Sequence, residues 1–197
     1  MIKIISGGQT GADLAGLWVA KKLGFRTGGV APNCFITEVG SKPTLKALFG
    51  LTDHGSYKTR TIKNVRDADL TIIFAKNVSS PGTVLTVNSC LKYVKPYVLI
   101  KDERGFDESI ENFWLTPERS GAWVRAKKMI DSASDDELAD NFIINVAGNA
   151  SRKAPENFEF TFVGLWLMLC NQAPINPNLS ISEIYKMAST LKDRYEG

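Results

Sequence analysis

Short apolar runs alternate with amphipathic stretches along this chain, and glycine or proline punctuates the changeovers. The pattern predicts a strand at Ile2 to Ile5. A helix follows from about Thr10 to Leu23, with Leu14, Leu17 and Trp18 at i, i+3, i+4 spacing and Gly24 as its terminator. A second short strand is expected near Phe25 to Val30, then a loop-rich region with one short helix at Leu45 to Phe49. Lys58 to Asp67 reads as a helix, Leu70 to Ala75 as a buried strand, Val84 to Val94 as a helix and Tyr97 to Lys101 as a strand. Beyond a polar, irregular stretch from Asp102 to Ser120, a helix is expected from Ala122 to Ile130 and the last central strand from Asn141 to Ala147. Phe158 to Leu169 is apolar all round, as in a helix packed deeply on a sheet. Such alternation requires an α/β fold, a parallel sheet with helices on both faces.

The end of the chain differs in character. Pro174 and Pro177 interrupt it, and Ser180-x-x-Glu183 is a capping box that opens a final helix to about Tyr195. One domain is therefore expected over residues 1–171, with a helical extension over 172–197. That helix presents Ile181, Ile184, Tyr185, Ala188 and Leu191 on one stripe, which must be buried on its own domain or on a second subunit. A homo-oligomer is the expectation, because the sheet domain is already complete before the extension begins.

Composition narrows the classes. At 197 residues with a net charge of +3 and no basic run, the chain shows no nucleic-acid footprint. No window is apolar for long enough to cross a bilayer, and nothing at the start resembles a secretion signal, so a cytoplasmic protein without a membrane partner is expected. Cys34, Cys90 and Cys170 are few and far apart, and His54 is the single histidine. Reduced thiols fit this better than disulfides, zinc or haem, and no metal ligand is assigned.

The chemistry concentrates at glycine loops. Ser6-Gly-Gly-Gln-Thr-Gly-Ala-Asp13 joins the first strand to the first helix and has three glycines in five residues. Glycine lets a backbone approach a ligand closely, and the first N–H groups of a helix are unpaired and lie at its positive dipole end. Gly7, Gly8, Gln9, Thr10 and Asp13 thus read as an anion cradle edged with polar groups; the plain alternative is a tight turn capped by Thr10. Neither the P-loop nor the dinucleotide fingerprint fits the spacing. Gly82, Thr83 and Thr86 repeat this logic after the second central strand, with Thr83 as a possible N-cap. Gly148, Ser151 and Arg152 lie in the exit loop of the last one. In a parallel sheet all three loops share one edge. On the helix before the second central strand, Tyr57, Arg60 and Asn64 lie along one face, where they could stack on a ring, fork onto a phosphate and bond a ring edge. Capping and salt bridging with Asp67 or Asp69 is the alternative. The dipole of the first helix is expected to hold the Asp13 pKa low, so that its carboxylate binds a hydroxyl, an amino group or a cation.

With these motifs placed, the chain resembles the molybdenum cofactor carrier family, a Rossmann-like group related to the LOG-type nucleotide phosphoribohydrolases. The resemblance rests on Ser6 to Asp13; on Gly28-Gly29 with Pro32; on Tyr57-x-x-Arg60-Thr61-x-x-Asn64-Val65-x-Asp67-x-Asp69; on Gly82-Thr83-x-x-Thr86; and on Asn145-Val-Ala-Gly148. It covers residues 1–100 and 141–170 and adds Pro32 to the ligand-binding set. Pro81 and Asn149-Ala150 depart from the family pattern. The position three after Thr83, where the LOG-type enzymes would have glutamate, is Thr86.

The resemblance implies a Rossmann-like protein that binds a phosphorylated heterocycle without consuming it, as carrier or scavenger. Molybdenum cofactor as cargo, or a nucleotide, is the expected ligand. An ADP-ribose-type sensor and a nucleotide or N-glycosidic hydrolase remain as alternatives. No catalytic residue can be assigned, since no triad or paired-carboxylate arrangement is legible.

Overall fold

The computed structural model describes residues 2–101, 128–132, 142–175 and 178–196. Five strands form a parallel sheet: β1 (Lys3–Ile5), β2 (Arg26–Gly28), β7 (Leu70–Phe74), β8 (Tyr97–Ile100) and β9 (Ile143–Gly148), in the spatial order β2-β1-β9-β7-β8. The expected last strand is thus the central one. The expectations for Asp102 to Ser120, and most of the expected helix Ala122 to Ile130, fall outside the described residues, as do Asn141 and Pro177.

Helix α1 (Ala12–Lys22) connects β1 to β2, and α4 (Pro81–Lys92) connects β7 to β8. The two crossovers run toward opposite edges of the sheet, so with right-handed connections α1 and α4 cover opposite faces. Helix α3 (Tyr57–Asp67) packs beside α4, and α5 (Asn157–Leu169) packs beside α1. This is the α/β architecture that the hydrophobic pattern predicts, in the Rossmann-like form that the family resemblance implies. Gly16 lets α1 settle onto β9: a Cβ there would lie 2.6 Å from a Val146 methyl. Gly24 (φ +82°) ends α1 with a Schellman pair, in which Phe25 N–H donates to Ala20 C=O at 2.9 Å and Gly24 N–H to Lys21 C=O at 3.4 Å.

Between β2 and α3 lie two short strand pairs that the sequence pattern did not resolve and the short helix that it did. Val30–Ala31 (β3) leaves the main sheet and pairs with Thr52–Asp53 (β6), and Ile36–Thr37 (β4) pairs with Gly40–Ser41 (β5) in a tight hairpin. The short helix α2 (Thr44–Phe49) follows the hairpin. Gly29 makes the departure of β3 possible, since a Cβ at this residue would lie 2.2 Å from the Ser6 carbonyl oxygen.

The final helix α6 (Ile181–Glu196) starts with the expected capping box: Ser180 N–H donates to Glu183 Oε2 at 2.8 Å, and Glu183 N–H donates to Ser180 Oγ at 3.4 Å. It packs on α5 of its own domain. Ile184, Ala188 and Leu191 are buried there, whereas Tyr185 is exposed. Lys192 Nζ donates to both oxygens of Glu159, the acidic residue in the largely apolar α5, at 3.0 Å. Apart from Tyr185 the stripe is covered on its own domain, one of the two ways of burying it that the sequence allows.

Candidate functional site

β1, β7 and β9 lie side by side at the point where strand order reverses, and their exits form the three glycine-bearing loops. In an open parallel sheet this is where ligands bind. The loops touch one another through Asn149. Its Nδ2 donates to Ser80 Oγ at 3.0 Å, Thr83 Oγ1 at 3.1 Å and Asn77 C=O at 3.0 Å, while its Oδ1 accepts from Asn77 N–H at 2.8 Å. Its own carbonyl accepts from Ala12 N–H at 3.1 Å and from Asn157 Nδ2 at 3.0 Å. One buried amide therefore fixes the second loop to the third, and its carbonyl fixes the third to the first. Sequence reading registered this residue only as a departure from a family pattern.

The glycines divide the labour. Gly11 (φ +73°) is the N-cap of α1 and has no side-chain cap, so Thr10 does not have that role. A Cβ at Gly11 would lie 2.3 Å from the Asn149 oxygen, and one at Gly148 only 1.8 Å from the Phe74 oxygen. Both positions serve backbone contact between loops or strands. Gly7 makes room for Arg60, whose Nη1 would be 1.6 Å from a Cβ. Gly8 (φ +71°) faces Leu51 and Leu45. A larger side chain at Gly8 would collide with this apolar wall. A Cβ at Gly82 would meet nothing within 4 Å among the described residues.

Several expected ligand-binding side chains are already engaged. Arg60 Nη1 donates to Asp13 Oδ2 at 2.8 Å, and the Arg60 Nε finds no acceptor among the described residues. Asp13 also accepts from Gln9 N–H at 3.3 Å. Burial pushes the Asp13 carboxyl above the usual carboxylate range, against the opposing pull of Arg60 and the Gln9 N–H, in contrast to the low pKa expected from the helix dipole. Asn64 clamps β3, accepting from Val30 N–H at 2.9 Å and donating to Val30 C=O at 3.0 Å. Tyr57 is exposed, and its hydroxyl donates to Ile36 C=O at 3.2 Å. Pro32 precedes a short 3₁₀ turn and is buried. Thr86 Oγ1 donates to Gly82 C=O at 2.9 Å. Ser80, not Thr83, is the N-cap of α4, and Pro81 takes the first helical position, where its missing N–H costs nothing.

A group of donors lies where the first and third loops meet. Gly11 N–H donates to Glu196 Oε1 at 2.5 Å, and Ser151 Oγ donates to Glu196 Oε2. Thr10 Oγ1 donates to Glu38 Oε1, which also accepts from Arg152 N–H at 2.8 Å. Thr10 Oγ1 in turn accepts from Ser151 N–H at 3.3 Å, and Gln9 Oε1 accepts from Glu38 N–H at 2.9 Å. Four donors from two loops thus converge on two carboxylates. Thr10, Ser151 and Arg152 were legible as site residues. Glu38 and Glu196 were not, because nothing local to either residue marks it.

Beside this cradle lies a small cleft of about 90 Å³. Leu14, Leu45 and Phe49 form its apolar wall, Thr10 faces it from the loop, and Arg194 and Tyr195 close it from α6. Among the described residues no His, Cys, Asp and Glu side chains gather as three or more metal ligands, and no helix is long and apolar enough to cross a membrane.

The model of the circularly permutated YpsA SLOG family matches residues 4–129. No curated protein matches the chain. A solved structure described as "Putative molybdenum carrier protein" from Syntrophus aciditrophicus SB is 32% identical, with a TM-score of 0.63 over 85% of this chain and 94% of that one. Its likeness extends past the span matched by the family model. On these grounds the chain belongs to the circularly permutated YpsA SLOG family, a family of small-molecule or nucleotide binding.

Proposed function

We propose that this protein is a cytoplasmic binding protein that holds a phosphorylated heterocyclic small molecule at the three-loop cradle and releases it unchanged, as a carrier or a scavenger. The observation that carries this reading is the convergence of Gly11 N–H, Arg152 N–H, Ser151 Oγ–H and Thr10 Oγ–H on carboxylate oxygens. These donors come from a helix N-terminus and an adjacent strand exit, the arrangement that suits a phosphate. The neighbouring apolar cleft gives a ring somewhere to lie. Molybdenum cofactor is the first cargo to test, since the similar solved protein is described as a molybdenum carrier. A nucleotide is the second, since its phosphate and base would use the same cradle and cleft.

The hydrolase reading has less support. Asp13, the acid of the first loop, is paired with Arg60 and buried, so it presents no free proton acceptor to a ligand. The test is to titrate the protein with oxidised molybdenum cofactor, AMP, ADP-ribose and NAD. A true ligand at a hundredfold excess over its Kd raises stability by about 2.7 kcal/mol. The bound compound is then recovered after denaturation and weighed by mass spectrometry. Intact recovery is expected. Continued conversion beyond one equivalent, lost in Asp13→Asn, would replace this reading with the hydrolase.

A further inference from the structure

Glu196 stands at the last turn of α6, 185 residues from the Gly11 amide to which it is bound. Its two oxygens bridge the loops, one taking the Gly11 N–H and the other the Ser151 hydroxyl. Glu38 takes the remaining two donors from the hairpin side. Two carboxylates thus sit near each other on four donors, and an anion that displaced Glu196 would collect the Gly11 and Ser151 pair. The charged groups around Glu196 are Glu38 across the cradle and Lys192 one turn back on its own helix; burial, together with the Glu38 charge, pushes the Glu196 carboxyl upward. The same turn of α6 also forms one side of the cleft. Tyr195 rests on Trp18 with ring centroids 4.7 Å apart, and Arg194 lines the opening.

We propose that the Glu196 carboxylate is a built-in competitor for the phosphate of the ligand, and that binding at the cradle withdraws the last turn of α6. This inference rests on the reading of the cradle as a phosphate site. The geometry gives it content. A phosphate needs the Gly11 and Ser151 donors, and they are free only when Glu196 has left. When Glu196 leaves, Arg194 and Tyr195 move with it, and the cleft beside Leu45 and Phe49 opens to a planar ring. Phosphate capture and ring entry are therefore one event, which favours a ligand carrying both groups over free phosphate.

The experiment compares wild type with Glu196→Ala and Glu196→Gln by calorimetric titration with inorganic phosphate and with AMP, and follows the Gly11 and Glu196 amides by NMR. Glu196→Gln keeps the possibility of hydrogen bonds to Gly11 and Ser151 but removes the charge, so it remains informative if the alanine variant is poorly folded. Removing a charged hydrogen-bonding competitor is expected to tighten AMP binding about tenfold to a hundredfold in Glu196→Ala, with a smaller gain in Glu196→Gln. In wild type, AMP should shift both amide signals together. Equal affinity for AMP in wild type and both variants would overturn the competitor while leaving the cradle in place, as would AMP binding that leaves the Glu196 amide unmoved. Binding of neither probe by any of the three proteins would remove the phosphate reading itself, and this proposal with it.

Discussion

Arg60 reaches from α3 to Asp13 in the first turn of α1, Nη1 to Oδ2 at 2.8 Å, with both side chains largely buried. Removing the guanidinium leaves a buried carboxylate with no counter-charge. Arg60→Ala is therefore expected to cost about 3–5 kcal/mol of stability, measured by urea unfolding. A small loss, under about 1 kcal/mol, would mean that the pair is solvated in solution.

The same pair sets a pH dependence. Burial raises the Asp13 pKa in the folded state above its unfolded value of 3.8, so the folded chain holds that proton more tightly. Its contribution to stability is then greatest at low pH and declines as pH rises from about 3.8 through the folded pKa. Unfolding free energies of wild type minus Asp13→Asn, taken from pH 3.5 to 7, should fall across that window. The fall should be steeper with Arg60→Ala as the background, and a difference that rises with pH would contradict the assignment.

Glycine substitutions should separate packing glycines from open ones. Gly148→Ala and Gly11→Ala place a Cβ 1.8 Å and 2.3 Å from backbone oxygens, and both residues have positive φ. Thermal unfolding should show large losses at both. Gly82→Ala meets nothing and lies in the first turn of α4, so it should be neutral or stabilising by about 0.4–1 kcal/mol.

Asn149→Ala would break the junction of the loops. Ser80 and Thr83 lose a buried donor, at a cost of about 1–3 kcal/mol. Hydrogen exchange should accelerate at the amides of residues 77–83 while β7 stays protected. Uniform acceleration across the sheet would show instead that Asn149 holds the whole fold.

Deleting residues 178–197 should destabilise the protein rather than change its assembly. Ile184, Ala188 and Leu191 belong to the core, and Glu159 would lose Lys192. Calorimetry and light scattering on the same sample distinguish the outcomes: a lower melting temperature at unchanged mass is expected, and a halved mass with unchanged melting would restore the subunit contact.

What the sequence discloses follows the range of each interaction. Ser6 to Asp13 is legible because glycine freedom and helix capping act within a few residues, and Leu70 to Phe74 because five consecutive buried positions need no partner to be recognised. The capping box at Ser180 is local in the same way. Asn149 is not legible, because the hydroxyls it joins lie 69 and 66 residues away. For Arg60 the sequence offers a phosphate or the nearby Asp67 and Asp69, and not Asp13, because that partner lies 47 residues distant. The two-residue strands β3 and β6 are too short for periodicity to show, and only the clamp from Asn64 and their mutual pairing define them.

The late arrival of β9 has a consequence for how the molecule is made. A growing chain that has reached residue 100 possesses the pairs β2-β1 and β7-β8, yet the strand that joins them has not been synthesised. Each half presents an open sheet edge at that stage, the condition that invites mispairing and chaperone attention. Only when residues 143–148 slot between the halves do the three loops become neighbours, and α6, still later, brings Glu196 to the cradle. Nascent chains truncated before residue 143 should therefore be protease-sensitive and unable to retain a ligand, so that maturation of the sheet and competence for cargo coincide in time.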